Sequence, residues 1–304
     1  MRKNQDGAMK ILEEHNDVFA DICNVVIYDG QQIVKPEDLK DASTNSSYVN
    51  DGKLYSQTRD VAKYWKKGNT LIKIARFGIE NQSTIDKDMP LRMISYDGAA
   101  YRWQVKNTKE RYPVASIVLY TGDQKWKSPH SIYDAIKVPD ELKPFVSNYK
   151  INVFQLAHVT KDQVEKFQSV FQNLADYYYH KTNNLDYHGS TKPLTHTEDF
   201  INAITEITGD KRISAVYNKE TDDNNQEVNM CTLMDRVVNK SHAEGKEEGR
   251  EEGKVEGANE NAISIAKTML EKNKYSNEEI ADITNLPLEK IKELAAEVCV
   301  GVTK

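Results

Sequence analysis

The chain has 304 residues, and its 41 Lys and Arg against 47 Asp and Glu give a formal net charge of −6. This length is enough to bury a sizeable core in one large domain or two ordinary ones. No apolar run approaches the roughly 20 residues that cross a bilayer, and no apolar segment follows the basic N-terminus, so we expect neither a membrane span nor a secretory signal. Cys23, Cys231 and Cys299 lack CxxC spacing and support neither a disulfide framework nor a zinc site. Composition therefore predicts a cytoplasmic globular protein.

The net charge is distributed unevenly along the chain. Residues 53–127 contain fifteen Lys and Arg against seven Asp and Glu, a local charge of +8, so the remainder carries −14. Affinity for nucleic acid depends on local basic surface, because each phosphate that is neutralised releases counterions. The acidic total therefore does not exclude DNA as a partner, although charge alone is equally compatible with an ordinary basic surface.

Strand-like and helix-like segments alternate through the first 180 residues. In chain order, the apolar patterns predict a helix at 8–22, a short β-like run at 24–30, a loop with short helical pieces at 35–58, strands at 61–65 and 70–82, a helix at 90–107, a buried strand at 113–122, a strand at 151–159 and a long helix at 161–181. Strands separated by helices are typical of an α/β domain. We therefore predict an α/β domain over residues 1–180.

The rest of the chain is predicted to be helical. A helical pattern at 197–217 and a loop at 222–225 belong to an extension over residues 181–230, and a helical arm with a terminal hairpin occupies 231–304. Glycines recur every four residues from Gly245 to Gly257 and so lie along one side of a helix. They could allow a partner helix to approach closely, or the segment could be a solvated, semi-flexible spacer. Ser276 and Glu279 predict a capping box, and the hairpin resembles a helix-turn-helix. Its second helix balances lysines with glutamates, which favours packing or oligomerisation over DNA contact.

Two acids in the basic region are spaced so that they can share a metal ion. Asp60 opens one predicted strand and Glu80 lies near the end of the next, so pairing of the strands brings their carboxylates together. Gln82, two residues beyond Glu80, projects from the same face. Converging carboxylates suit Mg²⁺ or Mn²⁺, which can activate water for hydrolysis of a phosphodiester. In a chain with 47 acids, such a spacing also arises by chance as a solvated acid pair.

Several short motifs occur in an order that carries a family resemblance. They are TRD at 58–60, GIENQS at 78–83, MPLRMISYDGAAYRWQV at 89–105 and PVASIVLYTGDQKW at 113–126. Together with the opening segment, the Glu-Glu-Gly repeats and the terminal helices, they resemble the recombination-promoting nuclease (Rpn) family, a transposase-like group of the PD-(D/E)XK nuclease superfamily. The resemblance covers most of the chain and is loose at residues 181–240.

The resemblance implies a restriction-endonuclease-like fold, with a central mixed sheet flanked by helices, and metal-dependent hydrolysis of DNA. Asp60 and Glu80 would be the metal-binding acids, with the backbone carbonyl of Asn81 as a further ligand and Mg²⁺ or Mn²⁺ as the cofactor. Gln82 would take the place of the superfamily's lysine, whose positive charge a neutral amide cannot supply.

Basic residues near the motif are predicted to contact phosphate and so to compensate for the missing lysine: Arg59, Lys73, Arg76 and Arg92. For Arg92 an equally open alternative is that it anchors the following helix to the sheet. Asp17 and Asp21 could add an acid from the first helix, as in some superfamily members, but surface or capping roles are expected for both.

The sequence therefore predicts a Mg²⁺-dependent DNA endonuclease associated with recombination or mobile elements, with Asp60, Glu80 and Gln82 as catalytic residues. The alternative is a catalytically silent DNA-binding or protein-interaction factor that retains the nuclease fold, and Gln82 is the feature that favours it. In either case we expect a homo-oligomer through the C-terminal arm and no membrane association.

Overall fold

A computed structural model describes residues 2–50, 53–58, 60–66, 73–217 and 228–301, and for residues 2–6, 45–50, 53–58, 73–77 and 298–301 it describes the backbone alone. The chain divides into two compact units, Met1–Val237 and Val238–Lys304. The domain boundaries predicted at residues 180 and 230 stay predictions.

Two helices open the first unit, α1 (Arg2–Glu14) and α2 (Asn16–Tyr28), where the sequence predicts one. The backbone between them is extended at His15, with φ −69° and ψ 128°. The β-like run predicted at 24–30 is wrong, because Val25 and its neighbours continue α2. β-Branched residues favour strands only moderately, and burial of one helix face outweighs that preference here. The helix ends where Asp29 and Gly30 adopt positive φ angles of 53° and 87°.

The described residues form seven strands in two sheets. A five-stranded sheet has the order β1-β4-β5-β6-β7, and a two-stranded sheet pairs β2 with β3. Their bounds are β1 (Leu39–Asp41), β2 (Asn45–Asn50), β3 (Lys53–Thr58), β4 (Val61–Lys66), β5 (Lys73–Gln82), β6 (Val114–Tyr120) and β7 (Asn152–Gln155). The prediction of a loop with short helical pieces at 35–58 is confirmed only by a 3₁₀ turn at Pro36–Asp38 and is otherwise wrong, because β1, β2 and β3 lie in this stretch. These strands are rich in polar residues and lack the apolar alternation that would mark them in the sequence.

The five-stranded sheet is mixed. β4 and β5 are antiparallel, whereas β5 with β6 and β6 with β7 are parallel. A parallel pair needs a crossover, which here is α3 (Met89–Asn107), with Pro90 in its first turn. The elements predicted at 61–65, 90–107 and 113–122 are confirmed, and so is the strand at 70–82 over its described residues. The predicted fold class, an α/β restriction-endonuclease-like sheet flanked by helices, is confirmed.

Later helices of the first unit are shorter than predicted. β7 confirms the strand at 151–159 over its first half, before a 3₁₀ turn at Leu156–His158. The single long helix predicted at 161–181 is wrong, because the chain breaks between α5 (Lys161–Lys166) and α6 (Phe171–Thr182). In the break, the backbone N–H groups of Gln168 and Ser169 donate to the carboxylate of Asp21. This contact spans 147 positions and leaves no local signal.

The helical pattern at 197–217 is likewise divided, into α7 (Thr197–Thr208) and α8 (Lys211–Val216). Gly209 ends α7 with a φ of 71°, a conformation that glycine adopts without a steric penalty. A short helix, α4 (Ile132–Ala135), lies between β6 and β7. The loop predicted at 222–225 lies outside the described residues.

The sheet is covered on both faces, and each face has its own apolar cluster. Ile117 and Leu119 of β6 join a large cluster that includes residues of α1, α2, α6 and α7. Val118 and Tyr120 join a smaller one that includes residues of α3. Successive strand residues point to opposite faces, which explains why β6 is apolar throughout. Because of the same alternation, successive residues at the end of β5 face α3 and α1 in turn.

The second unit is helical. The long α9 (Met230–Lys272), which begins in the first unit, is followed by α10 (Asn277–Thr284) and α11 (Leu288–Gly301), so the predicted arm and terminal hairpin are confirmed. The capping box of Ser276 and Glu279 is also confirmed. Ala266, Ile280 and Ile291 are buried together in a small core. None of the described helices has the length and apolarity that crossing a bilayer requires. Self-association through the glycine repeat stays a prediction.

Candidate active site

The parallel strands β5 and β6 end side by side at Gln82 and Tyr120. The backbone N–H of Thr121 extends this pairing by donating to the Gln82 carbonyl at 2.9 Å. Open α/β sheets commonly bind ligands at the carboxyl edge of their parallel strands. At this edge Glu80 and Gln82 lie on the α3 side of the sheet, and Asn81 lies on the α1 side.

Asp60 is placed at the same edge by the antiparallel pairing of β4 with β5. Val61 pairs with Ile79, so the register sets Asp60 opposite Glu80. The Oδ2 atom of Asp60 accepts a hydrogen bond from the backbone N–H of Asn81 at 2.8 Å. The structure therefore brings Asp60 to the end of β5, where the sequence predicts it.

The surroundings of Asp60 are poorly suited to an isolated negative charge. Burial raises the pKa of Asp60 above its ordinary value, and this effect outweighs the opposing effects of the Asn81 hydrogen bond and of the Lys10 and Arg92 charges. A raised pKa means that the ionised carboxylate is less well solvated here than in water. A bound cation would relieve this penalty.

Glu80 is 4% exposed and forms an ion pair with Arg92 of α3. The Nη2 atom of Arg92 donates to Oε1 of Glu80, and Nη1 donates to Oδ2 of Asp86 at 2.8 Å. Arg92 thus connects α3 to β5 and to the loop between them. These are the contacts of an anchoring residue, and a role of Arg92 in phosphate contact stays a prediction.

Gln82 is half-buried, and its Nε2 atom donates to the carbonyl of Thr84 at 2.7 Å. The amide is therefore held at the carboxyl edge, just beyond the end of β5. Of the other predicted residues, Arg59 lies outside the described residues, and only the backbone positions of Lys73 and Arg76 in β5 are described.

Glu13 of α1 is the site residue that sequence reasoning missed. It is 0% exposed, and its Oε2 atom accepts a hydrogen bond from Nδ2 of Asn81 at 3.0 Å. Burial raises the pKa of Glu13 well above its ordinary value, and the nearby negative charge of Asp60 raises it further. Asn81 therefore bridges the two acids, through its backbone to Asp60 and through its side chain to Glu13. The available signal was an acid four residues after the buried Met9, on the apolar face of α1.

Asp17 and Asp21, which the sequence suggests as a further acid of the site, contact residues outside it. Oδ1 of Asp17 lies 2.8 Å from Nε2 of His196. Asp21 accepts backbone N–H groups from the break between α5 and α6, so it has a structural, capping-type role. The structure brings neither of them into contact with Asp60 or Glu80 among the contacts of the described residues.

Carboxylate oxygens are the ligand type that a hard divalent cation such as Mg²⁺ prefers. Asp60 and Glu80 supply two carboxylates, and the raised pKa of Asp60 marks a place where negative charge lacks compensation. Across the described part of the chain, no group of three or more His, Cys, Asp or Glu side chains is arranged to hold a metal ion. A metal ion at this edge would need backbone oxygens, water or substrate in addition to these two carboxylates.

A mixed five-stranded sheet flanked by helices is that of a restriction-endonuclease-like α/β protein. Asp60 and Glu80 lie at the edge where its parallel strands β5 and β6 end. A family profile described as "Putative transposase, YhgA-like" matches residues 40–200, slightly more than half of the chain. The chain therefore belongs to this YhgA-like transposase family, the PD-(D/E)XK nuclease-like group that its motifs predict. Neither a curated protein nor a solved structure matches the chain.

Glu13→Gln is expected to change how stability depends on pH. The pKa of Glu13 is higher in the folded than in the unfolded protein, so folding favours the protonated acid. The wild type therefore loses free energy of unfolding as pH rises from the unfolded pKa of about 4.3 toward the folded pKa, by at most about 1.4 kcal/mol per pH unit from this group. The glutamine variant still has an oxygen that can accept the Asn81 hydrogen bond. Because glutamine does not ionise, the variant does not lose this part of its free energy of unfolding as pH rises.

Urea unfolding of both proteins at pH 5 and pH 7, without divalent metal, measures the difference. We expect the free energy of unfolding of the variant, relative to that of the wild type, to be higher at pH 7 than at pH 5. A constant difference at both pH values would contradict the raised pKa.

Proposed function

We propose that this protein is a metal-dependent endonuclease that hydrolyses phosphodiester bonds of DNA. Membership of the YhgA-like transposase family and the local charge of +8 around the site support the proposal. The observation that carries it is the β4–β5 register, which holds Asp60 opposite Glu80 at the carboxyl edge of the sheet.

In this proposal Asp60 and Glu80 hold Mg²⁺ or Mn²⁺ together with the backbone carbonyl of Asn81. Such an ion, when bound, lowers the pKa of a coordinated water and stabilises negative charge on the phosphate. The chain itself positions the acids, because the backbone N–H of Asn81 fixes Asp60 and the guanidinium of Arg92 fixes Glu80. The amide of Gln82 can orient a water or a phosphate oxygen but adds no charge.

Basic residues close to Asp60 and Glu80 in the sequence would contact the DNA backbone, although Lys73 begins β5 and so lies at the far end of that strand from Gln82. Arg59 directly precedes Asp60, and Lys73 and Arg76 belong to the strand that carries Glu80. We propose these three as phosphate contacts. Arg92 already pairs with two carboxylates, so we expect it to contribute less to phosphate binding.

The proposal is tested by incubating the purified full-length protein with supercoiled plasmid in the presence of Mg²⁺ or Mn²⁺. We expect conversion to nicked or linear DNA, abolished by a chelator and by Asp60→Asn or Glu80→Gln. Equal nicking by the wild type and both variants would assign the activity to a contaminant.

A second function rests on Gln82, which supplies no positive charge where a nuclease of this superfamily would use lysine. On this view the protein binds DNA or a protein partner and does not cleave. Gln82→Lys discriminates between the two functions. If the wild type is an active nuclease, we expect this substitution to change cleavage by less than about tenfold, because the site already works without the charge.

Under the rival function the wild type would bind plasmid without cutting it, and Gln82→Lys would create strong Mg²⁺-dependent cleavage. A gel assay that separates bound, nicked and linear DNA distinguishes these results. We further propose a role in recombination or mobile elements, a cytoplasmic location, and a homo-oligomer through the arm that begins with α9.

A further inference from the structure

The helix α3 has two apolar faces, of which one covers the five-stranded sheet. Met93 and Ala100 lie on the buried face. On another face Leu91, Ile94, Tyr101 and Val105 are 38%, 38%, 43% and 65% exposed. A contiguous apolar patch that remains exposed on a folded protein commonly marks an interaction surface.

The exposed residues follow the spacing of a helix-packing seam. With Gly98 included, successive positions are three, four, three and four residues apart, so all five fall within about 80° of the helix circumference. We call this set the α3 stripe: Leu91, Ile94, Gly98, Tyr101 and Val105. Since α3 has 19 residues and is about 28 Å long, the stripe covers most of its length.

Gly98 makes the middle of the stripe accessible to another helix. A Cβ built at this position would meet no heavy atom within 4 Å, so the surface above it is open. Glycine weakens a helix interior, yet it removes the side chain that would keep a partner backbone away.

The α3 stripe is self-complementary when two helices run in opposite directions. Leu91 and Ile94 lie before Gly98, and Tyr101 and Val105 lie at similar distances after it. In an antiparallel pair the first two of one copy therefore face the last two of the other, and the glycines meet near the centre. The helix dipoles are also opposed in this arrangement, which is favourable.

Charges beside the stripe select the same arrangement. Asp88 at the start of α3 is exposed, and Arg102 and Lys106, which follow it by 14 and 18 residues, are exposed on the same flank. Antiparallel packing sets the acid of one copy near the two bases of the other. Parallel packing would instead set this flank against the partner's opposite flank, where Asp88 would not meet these two bases.

We propose that the α3 stripe is the interface for a second copy of this chain, packed with the two α3 helices antiparallel. The surface is separate from the C-terminal arm and does not depend on nuclease activity. A single helix pair belongs to the small class of protein interfaces, so we expect a weak dimer whose population depends on protein concentration.

Cysteine cross-linking in full-length protein carrying Cys231→Ser and Cys299→Ser tests the arrangement. In an antiparallel pair a cysteine at Gly98→Cys meets its own copy, and Leu91→Cys meets Val105→Cys in a mixture of the two variants. We expect both to form disulfide-linked dimers at least about tenfold faster than Leu185→Cys, a control at a 49% exposed apolar residue outside α3. Equal rates would overturn the proposal, and efficient self-linking of Leu91→Cys would overturn the antiparallel arrangement.

Sedimentation equilibrium provides a second, independent measurement. Val105→Glu places a charge in the α3 stripe at a site that is 65% exposed, so it should not disturb folding, and we expect it to weaken association at least about tenfold. Leu185→Glu should leave association unchanged. A wild type that stays monomeric, or dimers that Val105→Glu does not weaken, would show that a second copy does not occupy this surface.

Discussion

Asp60→Asn is expected to lower metal-dependent DNA cleavage by about 10³-fold or more. The substitution removes one of the two carboxylates in the proposed site, and a neutral amide oxygen binds a hard cation less strongly than a charged carboxylate. Asparagine is the same size and can still accept the hydrogen bond from the backbone N–H of Asn81. Loss of cleavage by a folded variant would therefore report the missing charge.

The same variant is expected to unfold at an equal or higher urea concentration than the wild type. Burial raises the pKa of Asp60, so at pH 7 its ionised form makes the folded state less stable than a neutral side chain would. Urea titrations without divalent metal measure this effect. Lower activity together with unchanged or higher stability is the combination that distinguishes a functional acid from a structural one.

Asp162→Asn is the matched control, since this acid is exposed on α5. We expect it to cleave DNA at the wild-type rate. Cleavage by Asp60→Asn at that rate would remove Asp60 from the proposed site.

Asp21→Ala is expected to lower the free energy of unfolding by about 2 kcal/mol or more. Asp21 is 4% exposed, and its carboxylate accepts the backbone N–H of Gln168 at 2.9 Å and that of Ser169 at 2.7 Å. Alanine would leave both N–H groups without this acceptor where the chain breaks between α5 and α6. A hydrogen bond to a charged group contributes about 1.5 to 3 kcal/mol. Hydration of the partly exposed N–H groups and relief of the buried charge offset part of the total.

Asp17→Ala is the control for this prediction, because Asp17 lies one helical turn before Asp21 in α2 and interacts with the side chain of His196 at a partly exposed position. We expect a loss of about 1 kcal/mol or less. Chemical unfolding of the first unit, followed by tryptophan fluorescence, measures both variants. Equal losses for the two would show that Asp21 does not hold the α5–α6 break as described.

Elements that carry their own local signal could be predicted from the sequence. β6 is apolar throughout because both of its faces are buried, and α3 begins with a proline in its first turn, so each is recognisable from a few consecutive residues. The approach of Asp60 to Glu80 was predictable because it follows from antiparallel pairing of two neighbouring strands.

Features that depend on distant residues could not be predicted in this way. The chain breaks after α5 because of an acid in α2, and nothing near residue 167 indicates it. Val25 continues a helix because its side chain is buried there, although its neighbours favour a strand locally. Glu13 lies near the site only because α1 packs on β4 and β5, a contact that spacing along the chain does not reveal.

The hydrogen bond between Glu13 and Asn81 joins residues 68 positions apart, and Glu13 lies before residue 40, where the family profile begins. A fragment trimmed to residues 40–200 would keep Asp60, Glu80 and Gln82 and yet lack α1, which contacts β4 and β5. Such a fragment would expose the apolar face of the sheet that α1 and α2 cover. The smallest piece of this chain able to support the site is therefore larger than the part by which its family is recognised.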